Sequence, residues 1–125
     1  MANRQTFQAW EDSGLQCMAR IENWDGDLLL QADLGTITYK VFRKDSNAWT
    51  ETGDGTLVVS AVIFDTAQTD SGWPYDDGFN FKTLLPSSAI PTGGRTYRIE
   101  FIFTPSGSQS FPVVFDAFAQ NLLTS

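Results

Sequence analysis

The sequence has no histidine and only one cysteine, Cys17, and both shortages exclude familiar side-chain chemistry. A serine or cysteine nucleophile activated by an imidazole is excluded, because the chain has no imidazole. A single thiol cannot close an internal disulfide, so the chain is not a small secreted module held by disulfides. Cys17 lies in an alternating apolar pattern, and we interpret it as a small buried hydrophobic residue rather than a reactive thiol.

Basic residues are also scarce, since eight Lys and Arg stand against fifteen Asp and Glu for a formal net charge of −7. An acidic surface repels phosphate, so neither nucleic acid nor an anionic membrane is an expected partner. The polar N-terminus lacks the apolar stretch of a signal peptide. No apolar run approaches the ~18 residues that cross a bilayer. We therefore expect a protein that is made and kept in a cytoplasm, or released from it by lysis.

Short segments with alternating apolar and polar residues run along the chain, and turn residues separate them. This period of two predicts antiparallel strands, most clearly at residues 15–21, 36–43, 96–104 and 111–119. Residues 57–64 are apolar on nearly both faces, which predicts a central, well-covered strand. About seven short strands in a chain of 125 residues predict an all-β fold, an antiparallel immunoglobulin-like β-sandwich.

The sandwich is expected to comprise residues 13–125 as a single domain, preceded by an N-terminal arm over residues 1–12 that is free to be flexible. Tyr97 begins a strand directly after a glycine-bearing turn. A tyrosine at this position predicts a tyrosine corner, in which the hydroxyl bonds backbone a few residues upstream. The alternative is a core aromatic whose hydroxyl reaches the surface.

The long polar loop over residues 65–78 holds the main candidate for binding another molecule. Trp and Tyr offer large contact areas at low entropic cost, and they are enriched in interface hot spots. Two alternatives stay open, because Trp73 could instead plug an open end of the sandwich or stack on a sugar ring. The candidate protein-contact residues are the aromatic and acidic residues of this loop and two aromatics of the arm: Trp73, Tyr75, Asp76, Asp77, Phe7 and Trp10.

Carboxylates in the loops raise two further possibilities. Asp65, Asp70, Asp76 and Asp77 share one loop, and paired carboxylates can hydrolyse glycosides when they are held at the right separation. Calcium also accepts such oxygens, although the stretch that begins at Asp45 departs from the EF-hand pattern at its third ligand. We expect solvated loop residues here, with no catalytic residue, no cofactor and no metal, while calcium binding stays an alternative.

The order of several motifs over roughly residues 14–120 resembles small proteins encoded among the structural genes of tailed bacteriophages and prophages. An Asp25-Gly26 turn precedes a strand of Ile-x-Tyr-x-Val type, and a loop with Trp73 leads into a Gly-x-Asn-Phe segment at residues 78–81. The segments that carry this likeness are ARIENWDGDLLLQADLGTITYKVF, SAVIFDTAQTDSGWPYDDGFNFKTLLP and GGRTYRIEFIFTPSGSQSFPVVF.

The resemblance implies a virion component with an immunoglobulin-like fold, made in the host cytoplasm. Capsid decoration proteins, also called cement proteins, are small, acidic and sandwich-like, as this chain is. Such a protein would bind capsid or other virion proteins and stabilise the shell, because it binds the assembled state. It could also form a homo-oligomer. The alternatives are a neck or tail adaptor of the virion, a carbohydrate-binding module, and an adhesion-type domain from a longer chain.

Overall fold

The computed structural model describes residues 3–8, 14–23, 26–70, 73, 75–107 and 109–119. These residues form eight strands, one short α-helix and two 3-10 turns. The helix α1 spans Val59–Val62, and the 3-10 turns span Gln31–Asp33 and Ser87–Ala89. The strands are β1 (Asn3–Gln8), β2 (Leu15–Ile21), β3 (Leu34–Asp45), β4 (Ala48–Leu57), β5 (Ile63–Gln68), β6 (Phe79–Leu85), β7 (Arg95–Pro105) and β8 (Phe111–Ala119).

The strands form two four-stranded sheets in which every neighbouring pair is antiparallel. The first sheet has the order β1-β2-β6-β5 and the second has the order β4-β3-β7-β8. The first order is the A-B-E-D sheet of an immunoglobulin domain, and the second is its C-F-G sheet with one added strand beside C. The predicted immunoglobulin-like β-sandwich is therefore confirmed, with eight strands in place of about seven.

The core lies between the two sheets, because each strand turns every second side chain inward. Phe81 of the first sheet meets Phe101 and Phe103 of the second, with ring centroids 5.1 and 5.2 Å apart in edge-to-face arrangements. Cys17 is completely buried in the same core, and burial raises the pKa of its thiol far above the ordinary range. Its interpretation as a buried hydrophobic residue is confirmed.

Tyr97 joins the start of β7 to the turn before it. Its hydroxyl donates a hydrogen bond to the Thr92 carbonyl oxygen at 2.9 Å and accepts one from the Thr92 amide at 3.0 Å. The side chain is fully buried, so the hydroxyl lies inside the protein and not at the surface. These bonds to upstream backbone are the ones that define a tyrosine corner in this class of sandwich.

Asn80 continues the ladder between β2 and β6 with its side chain. Its Oδ1 accepts a hydrogen bond from the Ile21 amide at 2.7 Å, and its Nδ2 donates to the Ile21 and Leu29 carbonyl oxygens at 3.0 and 2.8 Å. The residue is fully buried. One carboxamide thus satisfies three backbone groups that would otherwise lose their water partners without replacement.

The apolar segment 57–64 differs from the central strand that its composition predicts. It ends β4, crosses between the sheets through α1 and begins β5 at an edge of the first sheet. Val62 and Ile63 are buried beneath the crossing, whereas Val58 is 67% exposed. A short apolar run cannot be told from a buried helical turn by periodicity alone, and the interpretation as a covered strand was therefore wrong.

Residues 3–8 of the predicted arm form β1, an edge strand of the first sheet. They pair antiparallel with β2 from Asn3 opposite Ile21 to Gln8 opposite Gln16. Without β1, β2 would be the edge and its backbone groups on that side would lack strand partners. The sandwich therefore begins before residue 13, because this polar segment completes a sheet. The remainder of the arm, residues 1–2 and 9–12, lies outside the described residues.

Candidate protein-contact surfaces

Trp73 lies on the outer face of the first sheet. Met18 points to this face because its neighbours Cys17 and Ala19 point into the core. Trp73 packs there against Met18 and Phe79, and its ring centroid is 5.6 Å from that of Phe79. We call these three buried residues, together with the half-buried Phe64, the outer cluster. The outer cluster is a second, smaller core on the far side of the sheet.

The burial of Trp73 weighs against a direct contact with a partner, which stays a prediction. Only 7% of the residue is exposed, so the ring cannot reach another molecule without leaving the outer cluster. The result favours the alternative in which Trp73 is a plug, although it covers a sheet face and not an open end of the sandwich. Tyr75 packs edge-on against it at 5.3 Å between ring centroids and remains exposed, as does Asp76.

The base of the loop is held by Arg20 on β2. Its Nη1 donates to the carbonyl oxygens of Asp77 and Gly78 at 2.6 and 3.4 Å, and its Nε lies 3.8 Å from a carboxylate oxygen of Asp77. Gly78 has a φ of +80°, and a Cβ there would lie 2.9 Å from the Gln68 carbonyl oxygen, so only glycine fits. Asp77, a predicted contact residue, therefore helps to close the loop over the sheet.

No described contact joins Phe7 or Trp10, the two predicted contact residues of the arm, to this loop. Phe7 lies in β1, where it stands opposite Cys17 in the pairing with β2. Trp10 lies outside the described residues. Of the six predicted contact residues, the structure joins Trp73 and Tyr75 in a ring contact and leaves Tyr75 and Asp76 as the exposed surface of the loop.

The outer face of the second sheet carries an exposed surface that sequence reasoning missed. Trp49 on β4 is 41% exposed and Phe118 on β8 is 58% exposed, and Ile102 on β7 is exposed between these strands. The core residues of β7 and β8 alternate with the residues of this face. We call the outer surface of β4, β3, β7 and β8 the aromatic face.

Two cations hold the indole ring of Trp49 in place. Lys44 Nζ lies 5.2 Å from the ring centroid and the guanidinium carbon of Arg98 lies 5.4 Å from it, both within the range of cation–π attraction. Arg98 Nε also donates to Asp116 Oδ1 at 2.9 Å, and this hydrogen bond raises the pKa of the guanidinium. Trp49 is therefore exposed but positioned by its neighbours.

Charges of both signs alternate across the middle of the aromatic face. Lys40 stands between Asp54 of β4 and Glu100 of β7 in the strand pairing, and its Nζ lies 3.5 Å from Glu51 Oε1. A shallow groove of about 390 Å³ runs beside these side chains, with Thr38 among the residues of its wall. The aromatic face thus combines apolar side chains with paired charges, as the cores and rims of protein interfaces do.

A signal for the aromatic face was present in the sequence. In a sheet with one solvent face, the residues that alternate with the core set are expected to be polar. On β7 and β8 that alternate set includes Ile102, Val114 and Phe118. Trp49 gave no such signal, because residues 44–55 around it are mostly polar and include two glycines.

Two of the acidic residues outside the aromatic face, Asp65 in β5 and Asp33 in a 3-10 turn, have structural roles. Asp65 Oδ1 accepts a hydrogen bond from the Gln31 amide at 2.8 Å, and Asp33 Oδ2 accepts one from the Leu30 amide at 3.0 Å. Within the part of the chain that the structure describes, no three His, Cys, Asp or Glu side chains come together as a metal site. In that same part, no helix is long and apolar enough to cross a membrane.

The geometry places the chain in the class of antiparallel immunoglobulin-like β-sandwiches, with a tyrosine corner and an added strand beside the C-F-G sheet. Searches against protein-family models, curated proteins and solved structures find no match for the chain. This fold hosts many unrelated functions, so the function has to be argued from its surfaces.

Proposed function

We propose that this chain is a non-catalytic protein-binding domain and a structural subunit of a phage virion, in the role of a capsid decoration protein. The aromatic face carries the proposal. It presents Trp49 and Phe118 on rigid strands, and Lys44 and Arg98 already hold the indole ring. Anchors that are ordered before binding lose little side-chain entropy when a partner arrives.

The resemblance to small structural proteins of tailed phages supports the virion as the place of binding. The acidic charge of −7 suits a subunit that is present in many copies, because like-charged free subunits do not aggregate. A decoration protein adds stability to a shell by binding only its assembled form. The aromatic face, with apolar anchors and charges of both signs, is suited to such a contact with a folded protein.

Particles released from the cells that encode the chain provide the test. We expect the chain in density-purified particles at a fixed ratio to the major shell protein, measured by quantitative mass spectrometry. Immunogold labelling over the whole shell would support decoration, whereas labelling at one vertex or the tail would indicate a neck or tail adaptor. Absence of the chain from purified particles would overturn the proposal.

A matched pair of variants tests the role of the aromatic face. Phe118→Glu removes an exposed anchor of this face, and Leu84→Glu makes the same charge change at a residue that is 69% exposed on the other sheet. We expect particles to incorporate Leu84→Glu normally and to lose most Phe118→Glu. Equal incorporation of both variants would remove the aromatic face as the docking surface.

A further inference from the structure

We infer that the aromatic face pairs with the same face of a second copy of this chain, which makes the subunit a two-fold symmetric dimer. The inference rests on the proposed function and refines it, because it makes the folded protein on this docking surface a second copy of the subunit and leaves the shell to the other surfaces of the dimer. In such an isologous contact, each copy contributes the same patch, so the patch must complement itself in shape, apolarity and charge.

The distribution of charge is the first argument for a second copy. Three of the eight basic residues and four of the fifteen acidic residues project from the aromatic face, which leaves a formal charge of −1 there and −6 on the rest of the chain. Two copies of so acidic a protein repel each other through most orientations. The aromatic face adds little to this repulsion, because its own charges nearly cancel. The seven residues are Lys40, Lys44, Arg98, Glu51, Asp54, Glu100 and Asp116.

The order of these charges also allows them to match across a two-fold axis. Lys40 lies between Asp54 and Glu100, so a copy rotated by half a turn can place a base of one face opposite an acid of the other. A partner with a strongly basic surface would instead select a strongly acidic patch. This arrangement favours a partner with charges of both signs, and a second copy has them because its face carries the same residues.

The size of the face is sufficient for a dimer. Four strands spaced about 4.8 Å apart and the 11 residues of β7 at about 3.4 Å each give a flat footprint of roughly 720 Å² per copy. Side-chain relief increases the accessible area beyond this footprint. A standard stable interface buries about 800 Å² per partner, so the whole face is of the required order.

The edge strand β8 favours face-to-face pairing over sheet extension. Pro112 lies near its start and cannot donate to another strand, and the charged Asp116 projects from its outer face. Both features oppose the addition of a strand at this edge. The apolar side chains of β8 are therefore left for contact across the face, and Phe118 is the most exposed of those on the aromatic face.

Sedimentation equilibrium of the purified chain over a concentration series tests the inference. The expected result is reversible association to twice the 13.9 kDa of the monomer. We expect Phe118→Glu to raise the dimer dissociation constant at least about tenfold, because it puts a carboxylate in place of an apolar anchor of the contact. Leu84→Glu should leave it unchanged. Circular dichroism of both variants checks that they are folded.

A cross-linking measurement locates the contact independently. Thr38→Cys introduces a thiol on the aromatic face, and Leu84→Cys introduces one on the other sheet, while the native Cys17 is buried and cannot compete. A flexible bis-maleimide cross-linker should join Thr38→Cys into a dimer and leave Leu84→Cys monomeric, since it does not need the Cα separation below about 7 Å of a direct disulfide. The reverse pattern would overturn the inference.

The outcomes separate this inference from the proposed function. A folded chain that stays monomeric throughout the series overturns the dimer. If Phe118→Glu is then still excluded from particles while Leu84→Glu is incorporated, the proposed function survives with a different virion protein on the aromatic face. If the chain dimerises but is absent from particles, the dimer stands and the proposed function fails.

Discussion

The two sheets of the sandwich differ in what covers their outer faces. On the first sheet, Trp73 is buried over Met18 and Phe79. On the second sheet, Trp49 remains exposed between Lys44 and Arg98. The same residue type therefore contributes to a core on one side of the molecule and to a free surface on the other.

The lengths of the connections explain this difference. Ten residues join β5 to β6 on the first sheet, which is long enough for Trp73 to lie over the sheet before Gly78 leads into β6. On the second sheet, β3 and β4 are joined by only Ser46 and Asn47, and β7 and β8 by a five-residue turn. Such short connections cannot reach across a sheet, and within the part of the chain that the structure describes its outer face stays open.

Replacing Trp73 or Trp49 with alanine is the most direct test of whether the two faces differ in their contribution to stability. We expect Trp73→Ala to lower the free energy of unfolding by about 3–5 kcal/mol, because it empties the outer cluster. Trp49→Ala should cost less than about 1 kcal/mol, since its ring is exposed and held mainly by surface cation–π contacts. Urea denaturation of both variants measures the two losses in free energy of unfolding. Equal losses would show that the two faces are not energetically distinct.

The next largest effect is expected at Asn80, which joins the covered sheet to the segment at Leu29. Asn80→Ala leaves the Ile21 amide and two carbonyl oxygens without the partners that they have now. Each buried group that loses its hydrogen bond costs about 1–3 kcal/mol, so we expect a total of about 3 kcal/mol after relaxation. Asn80→Leu should be equally damaging. A loss below about 1 kcal/mol in thermal unfolding would contradict the role of the carboxamide.

A smaller effect is expected at Tyr97, the buried polar anchor of the open sheet. Tyr97→Phe keeps the ring and removes only the hydroxyl, with its two hydrogen bonds to Thr92. We expect a loss of about 1–2 kcal/mol. Amide hydrogen exchange gives a second readout, because the Thr92 amide should exchange faster in the variant while amides in the middle of β7 and β3 keep their order of protection.

The smallest expected effect concerns pH at the end of the open sheet. Hydrogen bonds from Arg43 and Thr50 lower the pKa of Asp45 below its ordinary value. A lowered folded-state pKa adds stability above about pH 4, and this stability is lost as the pH falls through the folded pKa. Asp45→Asn should therefore be slightly less stable than the native chain at pH 7. Denaturation at several pH values should show the difference disappearing in acid.

The sandwich could be predicted from the sequence because its strands bury one face each. Residues 15–21 alternate in and out of the core as their apolar pattern indicates, and Tyr97 stands where a tyrosine corner needs it. The crossing at residues 57–64 could not be predicted, because a short apolar run covers a core equally well as a strand or as a helical turn.

The surfaces were harder to predict than the fold for a physical reason. Nothing local distinguishes Trp73 from Trp49, since each lies in a polar segment with nearby charges. Whether each ring is buried depends on the length of its connection and, for Trp73, on the contacts of Arg20 and Gly78 at the base of the loop. Such tertiary contacts between residues far apart in the sequence leave no periodic pattern.

Labelling of Cys17 can report the rate at which this molecule unfolds. The thiol is completely enclosed by the core, and burial strongly disfavours its reactive thiolate form. A thiol reagent can therefore reach it only when the two sheets separate. At high reagent concentration, the rate of labelling in native buffer equals the rate at which the sandwich opens. The lifetime of the folded state can thus be read by mass spectrometry without denaturant and without changing a single residue.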